Sequence, residues 1–110
     1  MNAAIAEQQG YAAALEEGQI GIQGPGKVTA RGPDYITFDP DAREIVIWDS
    51  KYRGPAGRSV SSTIPASKLK SWMPEVRNAI EAMSEGPAKQ QALKAFEDGA
   101  VRGRVFKWPQ

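Results

Sequence analysis

Between positions 34 and 51 the chain places two apolar runs on either side of a polar turn. Tyr35-Ile36-Thr37-Phe38 is followed by Asp39-Pro40-Asp41-Ala42-Arg43, and then by Glu44-Ile45-Val46-Ile47-Trp48-Asp49-Ser50-Lys51. Apolar β-branched and aromatic runs bounded by Asp and Pro predict strands over 34–38 and 44–51, with a turn over 39–43. A turn this short predicts an antiparallel hairpin, with the start of the first strand beside the end of the second. In the second strand Ile45 and Ile47 share one face and Val46 and Trp48 the other. A strand apolar on both sides belongs in the middle of a sheet.

The remaining pattern is helical on both flanks. Residues 2–17, rich in Ala, Glu, Gln and Leu, predict a helix closed by Gly18. A loop over 18–26 holds a short strand at 20–22, and residues 27–31 are strand-like. Residues 53–63, with Gly, Pro and Ser, read as a loop. A helix is expected from 65 or 66 to about 83, bent or split at Pro74. Gly86-Pro87 separates it from a further helix over 88–97, which Gly99 ends. Residues 101–108 form a last strand interleaved with basic residues. The order is a helix, three strands, helices and a strand, which is an α/β (α+β) class.

Composition narrows the chemistry. The chain has 110 residues, 41% of them hydrophobic, enough for a single folded domain over 1–110. With neither cysteine nor histidine, it holds no disulfide, thiolate or imidazole metal site, and no histidine general base. Catalysis would have to come from carboxylates, Lys, Arg, hydroxyls or a bound metal. The net charge is only +1, but it is unevenly spread. Residues 1–26 carry Glu7, Glu16 and Glu17 and no base, whereas 51–77 carry Lys51, Arg53, Arg58, Lys68, Lys70 and Arg77 against Glu75 alone. Such a basic segment suits a polyanion or a solvated face equally. No stretch is apolar enough to cross a membrane. The first residues lack the basic end and apolar block of a signal peptide, which fits a cytoplasmic protein or a piece of a larger exported chain.

The sharpest candidate for chemistry lies at the end of the central strand. Asp49 and Lys51 fall on one strand face, and the hairpin brings Asp34 alongside. Two neighbouring carboxylates repel unless a cation neutralises them, so Asp34 and Asp49 are candidate ligands for Mg²⁺, with Mn²⁺ or Zn²⁺ as alternatives and the Ser50 carbonyl as a further donor. Lys51 would stabilise charge at a phosphoryl centre. Arg53, Arg58, Lys68 and Lys70 are candidates for flanking phosphates, and Glu16 or Glu17 for a further acid, with Glu7 less well placed. The simpler alternative is an Asp–Lys pair closing a strand. Hydroxyls at 59–63 suit capping better than phosphate binding, and Trp72 and Met73 suit the core better than base stacking. Arg102, Arg104, Phe106 and Trp108 share a strand face that suits nucleic acid, a protein partner or a charge-protected sheet edge.

Gly32-Pro33-Asp34 followed by Glu44-Ile-Val-Ile-Trp-Asp49-Ser-Lys51 resembles the PD-(D/E)XK motif of the restriction-endonuclease-like nucleases. The resemblance implies that family's core, a mixed sheet in helix-strand-strand-strand-helix-strand order. It also implies Asp34 and Asp49 as metal-binding acids, Lys51 as the catalytic lysine, and Glu16 or Glu17 as the additional helix acid. Within the superfamily the chain looks most similar to C-terminal nuclease domains of bacterial polymorphic toxins, contact-dependent growth inhibition toxins among them. By that resemblance it is part of a larger exported protein, enters the cytoplasm of a neighbouring bacterium and is neutralised by an immunity protein. Family members cut tRNA or DNA, and tRNA is the first expectation here. A DNase, a repair nuclease of the same fold and a noncatalytic interaction module are the alternatives.

Overall fold

A computed structural model describes residues 3–24, 34–52 and 64–108. The strand-like segment 27–31 and the loop 53–63 lie outside the described residues. The elements run α1 (Ala3–Glu16), β1 (Ile20–Gln23), β2 (Tyr35–Asp39), β3 (Glu44–Tyr52), α2 (Ala66–Ser71), α3 (Met73–Glu81), α4 (Pro87–Glu97) and β4 (Val101–Trp108). The four strands form one mixed sheet in the order β1-β2-β3-β4, antiparallel except that β4 runs parallel to β3. The strand paired with β2 is therefore the short segment 20–23.

The hairpin forms in the expected register, Tyr35 opposite Trp48 and Asp39 opposite Glu44. Its turn is held by the Asp39 carboxylate, whose Oδ1 accepts the backbone N–H groups of Asp41 at 3.0 Å and Ala42 at 3.2 Å. Arg43 closes the turn at φ 56°, in the left-handed region.

Alternation along β2 and β3 divides the interior into two layers. Ile36, Phe38, Ile45 and Ile47 pack against Ile64 and against Trp72, Val76, Ala79, Ile80, Ala92 and Ala95 of the helical segment. On the other face Tyr35, Val46 and Trp48 pack against Ala14 and Tyr11 of α1. The sheet is thus sandwiched, and residues 45–48 are buried throughout, as a central strand requires. Trp72 is core, not a surface stacking platform.

The predicted helix over 66–83 is split, but at Trp72 rather than Pro74. Pro74 lies in the first turn of α3, where its missing N–H costs nothing. Gly18, at φ 94°, takes the left-handed turn that ends α1 and sends the chain back along β1. Gly103 of β4 gives α2 its seat. A Cβ there would come within 2.9 Å of Leu69 Cδ2 and 3.1 Å of Ile64 Cδ1.

Candidate functional site

The two aspartates occupy neighbouring strand positions at one end of the sheet. Asp34 immediately precedes β2 and its backbone N–H donates to the Trp48 carbonyl at 3.0 Å, which sets it beside the Trp48–Asp49 segment. Both acids are half-buried. Asp49 shares the face of Ile45 and Ile47, on the side covered by α2, α3 and α4. It pairs in register with Val105, and Lys51 with Lys107. β3 and β4 are parallel, so their carboxyl ends reach this same edge, the usual place for a ligand beside parallel strands.

The other candidates divide by position. Lys68 and Lys70 lie on α2, which covers β4 at Gly103 on the same face as Asp49, and both are exposed. The Lys68 ammonium sits 5.5 Å from the centre of the Trp72 ring. Arg53 and Arg58 lie outside the described residues, as do the hydroxyls of 59–63. Glu16 and Glu17 are exposed at the end of α1, and the chain passes from them through Gly18 to Ile20, which pairs with Phe38. Four residues of β2, roughly 13 Å of strand, separate Phe38 from Asp34. The structure therefore sets these glutamates at the opposite end of the sheet from the two aspartates. It is the Tyr11 end of α1, one turn after Glu7, that approaches the site, since Tyr11 meets Tyr35 edge to face with ring centres 5.7 Å apart.

Behind the aspartates a buried polar relay fixes Trp48. Its indole Nε1–H donates to Thr37 Oγ1 at 2.9 Å, and the Thr37 hydroxyl donates to the Gln19 side-chain oxygen. Tyr35 stacks on the same indole at 5.5 Å between ring centres and 19° between planes, and the Arg104 guanidinium covers it at 4.7 Å. Sequence reasoning missed this assembly. The one available signal was a lone threonine between apolar residues on a buried strand, which needs hydrogen-bond partners wherever it sits.

The far end of the sheet is tied differently. Arg102 Nη2 reaches Asp39 Oδ2 at 3.2 Å, and its Nε lies 3.7 Å from Glu44 Oε1, linking β2, β3 and β4. A groove between the hairpin turn and α4, lined by Phe38, Arg43, Lys94 and Asp98, opens at that end. Asp98 and the carboxyl end of α4 offset its two cations.

Among the described residues no group of three or more acidic side chains converges on one point; the acids at the site end are Asp34 and Asp49. No described helix is long and apolar enough to cross a membrane. Comparison with family models, with curated proteins and with solved structures yields no match.

Proposed function

We propose that this chain is a metal-dependent endonuclease of the PD-(D/E)XK kind, acting as the nuclease domain of an interbacterial toxin and cleaving tRNA by phosphodiester hydrolysis. The observation that carries the reading is the placement of Asp34 beside the Trp48–Asp49 segment, at the carboxyl end of a central strand that continues to Lys51. The sheet order and the parallel β4 support a restriction-endonuclease-like core.

The residues present fit a hard divalent cation. Mg²⁺ retains several waters and takes one or two carboxylates, and two half-buried aspartates at a strand edge, with the Ser50 carbonyl nearby in sequence, are such a donor set. Mn²⁺ and Zn²⁺ are alternatives. When bound, such an ion supplies Lewis acidity toward a phosphoryl oxygen and a more acidic water. Asp34 and Asp49 would hold and orient it. Lys51 would balance charge growing at the scissile phosphate. Arg53 and Arg58, with Lys68 and Lys70 on the same sheet face as Asp49, would hold flanking phosphates.

A net charge of +1 is modest for a nonspecific DNA groove, whereas a folded RNA is recognised by shape over a small patch. In the toxin reading the domain is exported within a larger protein, works in the cytoplasm of the target bacterium and is held inactive in the producer by an immunity protein.

The test is incubation of the purified domain with total tRNA and, separately, plasmid DNA, under Mg²⁺, Mn²⁺, Zn²⁺ or EDTA, beside Asp49→Ala. Discrete tRNA fragments that disappear with EDTA and with the variant are expected. Plasmid cleavage with intact tRNA would make it a DNase. Cleavage of neither substrate by a folded protein would replace the enzyme with a binding module.

A further inference from the structure

Two arginines two residues apart on β4 are used in opposite ways. Arg102 is matched by two carboxylates, Asp39 and Glu44. Arg104 is exposed and lies over the Trp48 indole, its guanidinium carbon 4.7 Å from the ring centre; no described carboxylate pairs with it. Trp48 is itself immobilised by Tyr35 stacking and by its bond to Thr37. A guanidinium laid on a fixed ring keeps its N–H fork in one plane with little rotamer freedom left to lose, the state in which arginine grips an anion best.

The position of Arg104 says which anion. It is the register partner of Trp48, the residue before Asp49, at the end of the sheet where the proposed site lies, and a guanidinium held there suits the phosphate backbone of a substrate. We propose that Arg104 is a phosphate-backbone contact of the nucleic acid, extending the substrate path from the Asp49 face across the sheet end to the Trp48 face. The proposal rests on the nuclease reading for the identity of its ligand.

The experiment measures fluorescence anisotropy of labelled tRNA in EDTA, where cleavage does not interfere, from low to moderate salt. Wild type is compared with Arg104→Met, which still covers the indole but carries no charge, and with Lys94→Met at the far end of the sheet. Loss of a phosphate contact should weaken binding by about fivefold and lower the log–log salt slope by about one in Arg104→Met, with Lys94→Met unchanged. Arg104→Lys should keep the wild-type slope, and Arg104→Gln is the neutral variant to use if Arg104→Met does not fold by circular dichroism.

Equal effects in both methionine variants, or none in Arg104→Met, would overturn the proposal. A parallel cleavage assay with Mg²⁺ separates the two readings. Cleavage by wild type with unchanged KM in Arg104→Met sinks this inference alone, whereas Arg104-dependent binding without cleavage sinks the nuclease reading alone.

Discussion

Thr37 and Trp48, on adjacent strands and 11 residues apart in sequence, share a buried hydrogen bond of 2.9 Å from the indole to the hydroxyl. The hydroxyl in turn donates a hydrogen bond to Gln19 Oε1, so a single side chain is acceptor for β3 and donor to the turn after α1. Thr37→Val keeps the shape and strands both partners in a buried setting. A loss of about 1–3 kcal/mol is expected in chemical denaturation. Because Trp48 adjoins Asp49, the proposed nuclease activity should fall further than the unfolded fraction alone explains.

Gly21 and Tyr11 form a second coupled pair. A Cβ at Gly21 would collide with the Tyr11 hydroxyl, and the Tyr11 ring is already committed against Tyr35. Gly21→Ala should cost about 1–3 kcal/mol through overpacking. Tyr11→Phe removes the offending atom, so the double variant should be more stable than the sum of the two single losses implies. Additive losses in a double-mutant cycle would show that the two residues are not in contact.

At the far end, Asp39 both braces the turn and meets Arg102, while Glu44 meets Arg102 alone and at a longer distance. Asp39→Ala should therefore destabilise by about 1–2 kcal/mol. Glu44→Ala should cost less than about 0.5 kcal/mol, since the pair is partly solvated and salt screens it. Urea melts at low and high salt check this ordering; the Asp39 loss should persist at high salt and the Glu44 loss should vanish.

The position of the α1 glutamates yields a functional prediction. Glu16 and Glu17 sit near the Ile20–Phe38 end of the sheet, so under the proposed nuclease reading a Glu16→Gln, Glu17→Gln double variant should cleave within about twofold of wild type, whereas Asp34→Ala should lose on the order of a thousandfold in kcat. A comparable loss in the glutamate variant would mean that α1 delivers its acid to the site after all.

The hairpin and its central strand were legible because apolar alternation on both faces of 45–48, with Asp and Pro in the turn, admits few other arrangements. The helices were legible from Ala, Glu, Gln and Lys content, and the last strand from its β-branched and aromatic residues. The break before α3 was displaced by two residues because proline is tolerated inside a first turn. What could not be read was direction. Nothing local states which sheet face α1 covers or which of its ends approaches Asp34; contacts between distant residues, Tyr11 with Tyr35 and Gln19 with Thr37, decide both. Arg102 and Arg104 look alike in sequence, and only the neighbours that β4 acquires across the sheet separate a brace from an available cation.

β3 lies between β2, its hairpin partner, and β4, which the chain reaches only after three helices. A polypeptide emerging from the ribosome amino end first can pair one edge of β3 early, yet the other edge waits until Val101–Trp108 has been made. Assembly of the sheet therefore waits on Val101–Trp108, and a chain cut short before that segment has an apolar strand with one edge unpaired. Such a chain is a substrate for quality-control proteolysis before it is anything else.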